Sequence, residues 1–322
     1  MNNTTGIDGF MDLTITRKVE IADGIWLFDL ERPDGEPLPG FEPGAHLTVI
    51  TPSGARRNYS LCNDPAVRGV YQLGIKAERD GRGASVSLVD ETGVGDTLKV
   101  AGPDNTFPLV EADDYLFIAG GIGITPIMSM VRFLKRTGHD KFHLVYVTRN
   151  PDLTAFREEL QSPDYEGFVE IHCDGGDPDA VYDFWPLFET PVKRHVYCCG
   201  PRPLMEEILG VSGHWSPEYI HFEDFASDVQ AVRADDKAFS VRHADTGEVV
   251  EIPADATILE TLRQRGHDLP SSCESGTCGT CRTELVEGVA DHRDMVLEDH
   301  QRDKYIMICV SRAQSDELVL RW

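Results

Sequence analysis

Three cysteines lie close together in the stretch CESGTCGTC. Cys273, Cys278 and Cys281 follow the spacing C-x4-C-x2-C, and Cys309 follows later in the stretch YIMICVS. Thiolates are strong ligands for soft transition metals. The glycines between the cysteines permit a tight loop around a metal centre, because they carry no side chain. The pattern therefore indicates a metal centre held by thiolates.

The spacing of these cysteines distinguishes between the candidate metals. A C-x4-C-x2-C run with a distant further cysteine is the ligand pattern of a plant-type [2Fe-2S] cluster. A structural zinc site would more often show two C-x2-C pairs or histidine ligands. We therefore predict a [2Fe-2S] cluster, with zinc and buried or redox-active thiols as the alternatives. The predicted ligands are Cys273, Cys278, Cys281 and Cys309. The remaining cysteines form no second site by spacing: Cys62, Cys173, Cys198 and Cys199.

A glycine-rich stretch, YLFIAGGIGITP, predicts a phosphate-binding loop. Gly120, Gly121 and Gly123 follow an apolar run typical of a buried strand, and a helix should begin near Thr125 and Pro126. Backbone N–H groups at the start of a helix bind anions, and proline is favoured in the first helical turn. The loop is therefore expected to bind the pyrophosphate of a dinucleotide.

A second loop is expected beside the first. The run HVYCCGP ends a later strand with Cys199, Gly200 and Pro201. Parallel strands have their carboxyl ends at one edge of the sheet, where such folds bind nucleotides. We expect both loops at this edge, with Cys199 and Gly200 beside the bound dinucleotide. A nucleophilic role for Cys199 is disfavoured, since no histidine is adjacent in the motif to activate it.

Hydrophobic patterning divides the chain into three kinds of sequence. Up to about residue 103, short strand-like runs alternate with turns, which is typical of a small antiparallel barrel. After Pro108, apolar runs alternate with helical segments such as PIMSMVRFLKRTG and AFREELQS, which predicts a parallel sheet with crossover helices. From about residue 238, a hairpin, a short helix and further strands predict a small mixed domain. The predicted domains are 8–108, 109–228 and 238–322, with a polar linker at 229–237.

The composition is that of a soluble protein with a large acidic excess. The chain has 322 residues, of which 41% are hydrophobic, and a formal net charge of -25. It has neither an apolar run long enough to cross a bilayer nor the basic start of a signal peptide. We therefore expect a cytoplasmic monomer that binds neither membranes nor nucleic acid. The acidic surface is expected to steer a basic partner or, alternatively, to serve solvation in salt.

Further motifs extend these observations into a family resemblance. GGIGITP and CCGP resemble the pyridine-nucleotide domain of the ferredoxin-reductase superfamily, and RNYS at 57–60 resembles its flavin-binding Arg-x-Tyr-Ser. With the cysteine motif, their order resembles the phthalate dioxygenase reductase family over nearly the whole chain. The resemblance implies an antiparallel flavin-binding β-barrel, a parallel-sheet α/β nucleotide domain and a C-terminal β-grasp ferredoxin domain.

The resemblance also implies roles for individual residues. Tyr59 would lie against the flavin ring, Ser60 near its reactive edge, and Phe225 over the ring. The stretch GRGAS resembles a second flavin segment that binds phosphate. Taken alone, Arg57 would more often be a solvated charge, Gly83 an ordinary turn and Phe225 a core or linker residue, and the order of the motifs reverses that preference. The implied flavin contacts are Arg57, Asn58, Tyr59, Ser60, Ile75, Lys76, Gly83, Ala84, Ser85 and Phe225. The residues expected beside the reacting atoms are Ser60, Cys199 and Phe225.

The identity of each nucleotide cofactor is a separate question. The segment between KVAGPDNTFPL and the nucleotide domain is short and offers no obvious loop for an adenine, so FMN is preferred to FAD, as the family also implies. An acidic residue after the second parallel strand would bind the ribose of NAD, yet this position holds Arg149, which suits a 2′-phosphate. The resemblance favours NADH, and the residue leaves NADPH open.

Together these cofactors predict a converter from two-electron to one-electron transfer. NADH would reduce the flavin, and the [2Fe-2S] cluster would deliver single electrons to a terminal oxygenase component of the Rieske type. One alternative is a free-standing flavin and iron-sulfur reductase with a small-molecule acceptor such as a quinone. A non-enzymatic iron-sulfur sensor is a weaker alternative, because it would leave the flavin and nucleotide motifs without a use.

Overall fold

The computed structural model describes residues 9–79, 81, 83–225, 233, 235–271, 276 and 279–322. The chain forms two compact units, Met1–Phe222 and Glu223–Trp322. No helix in the described ranges is long and apolar enough to cross a lipid bilayer. The finer domain boundaries given above stay predictions.

Antiparallel strands form a barrel in the first part of the N-terminal unit. The strands are β1 (Met11–Ala22), β2 (Ile25–Glu31), β3 (His46–Ile50), β4 (Arg56–Ser60), β5 (Tyr71–Lys76) and β6 (Thr97–Asp104). They lie in the order β4-β3-β6-β1-β2-β5, and a bridge between Leu61 and Leu73 joins the two ends of the sheet. Inward side chains such as Leu13, Phe28 and Leu47 form the core. A helix that the sequence did not suggest, α1 (Ala84–Glu91), follows β5.

The second part of the N-terminal unit is a sheet with flanking helices. Its strands are β7 (Tyr115–Gly120), β8 (Phe142–Thr148), β9 (Val169–Cys173), β10 (His195–Cys199) and β11 (Ile220–Glu223). Its helices are α2 (Ile124–Thr137), α3 (Arg157–Leu160), α4 (Trp185–Phe188) and α5 (Arg202–Ser212). The strand order is β11-β10-β7-β8-β9, and β10, β7, β8 and β9 run parallel, as predicted.

Two predicted helices of this sheet have different outcomes. Helix α2 ends at Gly138, whose φ of 74° is the left-handed conformation that suits glycine, as predicted. The helix predicted over AFREELQS is wrong in length, because only Arg157–Leu160 is helical. Phe156 precedes it with a φ of 57°, which no α-helix accommodates.

The C-terminal unit is a mixed sheet with one main helix. Its strands are β12 (Phe239–His243), β13 (Val249–Ile252), β14 (Arg282–Glu287), β15 (Ala290–Asp291), β16 (Tyr305–Met307), β17 (Arg312–Ala313) and β18 (Glu317–Arg321). Its helices are α6 (Ile258–Gln264) and α7 (Asp299–Arg302). The main sheet has the order β13-β12-β18-β14-β16, with β12 parallel to β18 and the other pairs antiparallel. Thr257 and Glu260 form a capping box that begins α6.

Candidate functional site

The two glycine loops follow neighbouring parallel strands. Cys199 at the end of β10 pairs with Ala119, next to the end of β7. The strand order changes direction between β7 and β10, since β8 and β9 extend to one side and β10 and β11 to the other. Such a switch point opens a crevice at the carboxyl ends of the strands, where nucleotides bind. The loops therefore meet at the edge that the sequence predicted.

Backbone contact between these loops explains three of the glycines. A Cβ atom on Gly123 would lie 2.1 Å from the carbonyl oxygen of Cys199 and 2.7 Å from the nitrogen of Gly200. A Cβ on Gly120 would lie 2.6 Å from Pro201 Cδ, and one on Gly200 would lie 3.0 Å from the Gly120 backbone. The sequence assigned Gly120 and Gly123 to the approach of a pyrophosphate and placed Gly200 beside the bound dinucleotide. The structure shows that they also let the two loops pack backbone against backbone.

Gly121–Gly123 form a short 3₁₀ turn that leads directly into α2. Gly121 has a φ of 53°, and its carbonyl oxygen accepts a 3.0 Å hydrogen bond from the Tyr146 hydroxyl. The buried Thr125 donates its hydroxyl to the carbonyl of Ile122 at 3.1 Å. Pro126 lies in the first turn, where its missing N–H has no cost. The Ile124 N–H bonds the carbonyls of Gly121 and Ile122, and no side chain caps the 3₁₀ turn or α2, so the N–H groups of the turn itself are the candidates for binding an anion.

Strand β4 carries the predicted flavin motif on two faces. Arg57 and Tyr59 share one face, and Asn58 and Ser60 share the other. Burial raises the pKa of Tyr59 to about 12, an effect that the Arg57 cation partly opposes. Asn58 accepts a 2.8 Å hydrogen bond from Thr48 on β3. The arrangement places an aromatic ring and a cation side by side, as a flavin ring and its phosphate require.

Ser60 provides a test of whether a flavin fits. The side chain is buried at the end of β4, and its Oγ has no hydrogen-bond partner among the described residues. A buried hydroxyl without a partner is unfavourable by about 1–3 kcal/mol. A cofactor atom at the end of this strand would satisfy it. The observation fits a bound flavin.

The second flavin segment lies between β5 and α1. Ile75 is fully buried, and Lys76 forms an ion pair of 2.6 Å with Glu78. Gly83 has a φ of 83° and no side-chain cap, and open space lies around the position of its missing Cβ. Ala84 begins the helix. Ser85 accepts a 3.0 Å hydrogen bond from the backbone of Glu78, so its own hydroxyl hydrogen can still be donated to a phosphate.

Cys199 and Phe225 differ in their exposure. The Cys199 side chain is fully buried. Burial also raises the pKa of the neighbouring Cys198 thiol. Phe225 is half-buried and belongs to the C-terminal unit.

Two of the four predicted cluster ligands are described, and they converge. Cys281 Sγ and Cys309 Sγ lie 3.0 Å apart, and both side chains are buried. Cys273 and Cys278 lie outside the described residues, and no group of three or more metal-ligating side chains occurs within those that are described. Gly276 has a φ of 81°, and a Cβ there would lie 2.7 Å from Val310 Cγ2. Paired thiols beside a tightly packed glycine fit a [2Fe-2S] cluster.

Buried charges frame this region. Asp236, from the predicted linker, forms two hydrogen bonds with Arg293, of 2.6 and 2.9 Å, and lies 3.3 Å from Arg312. Both arginine side chains are at most 3% exposed. Arg312 follows the Cys309 segment, and Arg293 precedes Asp294, whose Cα packs on Gly276. The end of the predicted linker is therefore a fixed part of the C-terminal unit.

Three domain families match the sequence in the order of the motifs. Residues 12–108 match the oxidoreductase FAD-binding domain, 117–172 the oxidoreductase NAD-binding domain and 241–314 the 2Fe-2S iron-sulfur cluster binding domain. The phthalate 4,5-dioxygenase oxygenase reductase subunit of Pseudomonas putida is 53% identical over 315 residues, which cover 97% of each chain. The chain belongs to the phthalate dioxygenase reductase family. Its fold resembles the solved structure of phthalate dioxygenase reductase, at 48% identity, with a TM-score of 0.78 and 98% of each chain covered.

Family membership confirms the main predictions. The protein is an oxidoreductase with a flavin-binding, a NAD-binding and a 2Fe-2S domain, so the predicted fold class and cofactors are confirmed. A more distant relative, tetrachlorobenzoquinone reductase of Sphingobium chlorophenolicum, is 35% identical and covers 96% of this chain and 97% of its own. The roles of the individual site residues stay predictions.

Sequence reasoning missed residues that hold the site together. Gly74 lies in the middle of β5, where a Cβ would be 2.6 Å from Thr125 Cγ2. Arg132 on α2 donates a 2.6 Å hydrogen bond to the carbonyl of Cys62, just beyond β4. The sequence did contain a signal for Gly74, since a glycine inside a strand pattern often marks a close backbone approach. Arg132 had no local signal.

Proposed function

We propose that this protein is the reductase component of a two-component Rieske oxygenase system. The observation that supports this proposal is the alignment of 97% of the chain with an oxygenase reductase subunit, through flavin, nucleotide and cluster domains alike. It would take electrons from NADH and deliver them to a separate oxygenase. When bound, the nicotinamide and flavin supply two-electron hydride chemistry, and the cluster supplies one-electron transfer.

The flavin would be held by β4, β5 and the start of α1. Tyr59 would pack on the ring, Arg57 would pair with the phosphate, and Ser60 would donate its unpaired hydroxyl. Backbone N–H groups at Ala84 and Ser85 would bind phosphate oxygens. Ile75 and Lys76 would line the ring edge, and Phe225 would cover it.

FMN is the flavin that the barrel favours. An adenine would need a free loop, and the segment between β6 and β7 is already engaged. Asn105 donates to the carbonyl of Pro43 at 3.1 Å, and the Val110 N–H donates to the Tyr197 hydroxyl at 2.8 Å. Mass spectrometry of the flavin released on denaturation distinguishes FMN from FAD.

NADH would bind across the two glycine loops. Its pyrophosphate would lie on the uncapped N–H groups that precede α2, and its nicotinamide beside Cys199, Gly200 and Pro201. Arg149, exposed after β8, is the residue that would accept a 2′-phosphate. Comparing kcat/KM for NADH and NADPH, in the wild type and in Arg149→Ala, tests the preference for NADH.

The cluster would be bound by Cys273, Cys278, Cys281 and Cys309. The turn at Gly276 and the burial of Cys281 and Cys309 would help to exclude water from its sulfurs. From this centre electrons would pass to the oxygenase, with the acidic surface guiding a basic docking face. We also propose that the protein is a cytoplasmic monomer. Size-exclusion chromatography with light scattering tests the oligomeric state.

A second candidate function rests on the tetrachlorobenzoquinone reductase relative. In that case the electron acceptor is a quinone rather than a protein. The two candidate functions differ in which electron acceptor the reduced protein uses efficiently, an oxygenase or a quinone.

The variant Cys278→Ser separates reduction of the flavin by NADH from electron transfer through the cluster. The variant should lose the cluster's visible absorbance and iron, yet still reduce ferricyanide with NADH, because the proposed flavin and nucleotide residues other than Phe225 lie in a different unit. Reduction of a purified Rieske oxygenase should be lost. A wild-type protein that reduces quinones efficiently but no oxygenase tested would favour the second candidate. Loss of ferricyanide reduction in Cys278→Ser would contradict the proposed electron path.

A further inference from the structure

Helix α2 is joined to the barrel along one face. Three residues at helical spacing contact the barrel from this face: Thr125, Arg132 and Arg136. Arg132 hydrogen-bonds the Cys62 carbonyl at 2.6 Å, and Arg136 pairs with Asp64 at 2.7 Å. Both partners directly follow β4, the strand with the predicted flavin motif. The start of α2 forms the predicted dinucleotide loop, so one rigid helix connects the two predicted cofactor sites.

A further close approach on this face lies at the first turn of the helix. A Cβ on Gly74 would lie 2.6 Å from Thr125 Cγ2, whereas ordinary contact begins at 3.4 Å. The Thr125 hydroxyl is bonded to the carbonyl of Ile122, which fixes the rotamer of this β-branched side chain. Its methyl group is therefore held against β5. Gly74 directly precedes Ile75, a predicted flavin contact.

Phe156 supports the same contact from the nucleotide-domain side. Its φ of 57° is unusual for a bulky residue, and such conformations persist only where the surroundings enforce them. The ring lies 5.2 Å beneath the Arg132 guanidinium. Its Cζ is 3.9 Å from the position of a Cβ on Gly74. Glu159 accepts a 2.8 Å hydrogen bond from Arg132 and completes the arrangement.

We propose that Gly74 and Thr125 are positioning residues that set the separation between the flavin strand β5 and the dinucleotide loop. The proposal rests on the function proposed above. The absent side chain at residue 74 and the fixed methyl at residue 125 bring the two surfaces into direct contact. Hydride transfer requires the reacting atoms about 3–3.5 Å apart, and a displacement near 1 Å can slow an enzyme roughly 100-fold.

Gly74→Ala tests the proposal. Gly74 lies in an extended strand outside the left-handed region, so the added methyl has Thr125 as its main obstacle. The variant should bind NADH with a similar Kd. Its flavin reduction in anaerobic stopped-flow should be roughly 10- to 100-fold slower at saturating NADH. The long-wavelength absorbance of the nicotinamide–flavin complex should weaken.

Thr125→Ser provides the rescue. It removes the methyl that Gly74→Ala would strike and keeps the hydroxyl that bonds Ile122. The double variant should therefore recover most of the rate and the absorbance band. Gly69→Ala is the matched control, because no atom lies within 4 Å of that missing Cβ, and it should behave as wild type.

Unfolding of the flavin-free protein gives a readout independent of activity. Gly74→Ala should lower the denaturation midpoint, and Thr125→Ser should restore it in the double variant. A Gly74→Ala protein as fast as wild type, or a double variant with no recovery in rate or stability, overturns the proposal. If Gly74→Ala alone is insoluble, recovery of soluble protein in the double variant supports it, and failure to recover counts against it. If the wild type itself does not reduce its flavin with NADH, the proposed function fails. The denaturation midpoints of the single and double variants still test the contact between Gly74 and Thr125.

Discussion

Gly123→Ala is expected to separate the two nucleotide loops. The added Cβ would lie 2.1 Å from the Cys199 carbonyl oxygen, where ordinary contact begins at 3.4 Å. The opposing atoms are backbone and cannot rotate away. The loops must therefore move apart by more than 1 Å. Overpacking of this kind typically costs about 1–3 kcal/mol. For a unit of this size, a loss of about 2 kcal/mol lowers Tm by roughly 4–8 °C.

The displacement should affect the reaction more than the fold. A shift near 1 Å in a loop that orients the nicotinamide predicts a roughly 100-fold slower reduction of the flavin by NADH. Stopped-flow absorbance measures this rate, and titration with NAD⁺ measures binding to the loops. The binding of the flavin itself should hardly change, because the barrel residues are not displaced.

Gly121→Ala is the matched comparison. Gly121 has a φ of 53° but no atom within 4 Å of its missing Cβ. An alanine there costs about 1–2 kcal/mol of backbone strain without moving the neighbouring loop. The two variants should thus lose similar stability, and Gly123→Ala should lose far more rate. Equal rates in the two variants, or a Gly123→Ala protein that matches wild type in both measurements, would refute the steric reasoning.

Three further outcomes are expected. Ser60→Ala should leave the flavin-free protein as stable as wild type or more so, since an unpaired buried hydroxyl is removed, and should weaken flavin binding about 5- to 10-fold in a fluorescence titration; an unchanged Kd would show that Ser60 does not contact the flavin. Asp236→Asn should destabilise the C-terminal unit by about 3 kcal/mol at neutral pH, because it removes the carboxylate that the buried Arg293 and Arg312 share and leaves Arg293 paired with Asp291 alone. The Arg293 hydrogen bonds lower the pKa of Asp236, so this stability is present above the ordinary carboxyl pKa and is lost as pH falls through the lowered value; thermal melts followed by cluster absorbance should show a smaller acid-induced loss in Asp236→Asn than in wild type. Finally, the association rate with the oxygenase should fall as salt rises and the Debye length shrinks from about 30 to about 8 Å, whereas ferricyanide reduction should rise; a flat salt dependence with folded protein would leave the acidic surface without a steering role.

The sequence predicted the cofactors and their binding motifs better than it predicted which distant residues contact each other. The cysteine spacing and the glycine loop carry local rules, because ligand geometry and helix starts depend on neighbouring residues. The same rules did not reveal that Gly123 packs on the Cys199 carbonyl, since that contact joins loops far apart in the chain. A helix was expected to include Phe156, and tertiary contacts instead hold this residue at positive φ.

The predicted linker shows the same limit. Its polar composition indicated a tether, and polarity is indeed common in linkers. Yet Asp236 is bound by Arg293 and Arg312, whose positions no local pattern links to residue 236. Local composition described the segment, whereas long-range ion pairs hold its Asp236 in the C-terminal unit.

The contact between Gly74 and Thr125 has a consequence for recombination between related genes. One partner comes from the barrel and the other from the nucleotide domain, so a crossover anywhere between codons 74 and 125 draws them from different parents. A parent with a larger residue at position 74 must carry a smaller one at position 125. A chimera that combines the larger residue 74 of one parent with the larger residue 125 of the other would have two surfaces that collide. Shuffled libraries of these reductases should therefore tolerate crossovers between these codons only where both parents agree at the two positions.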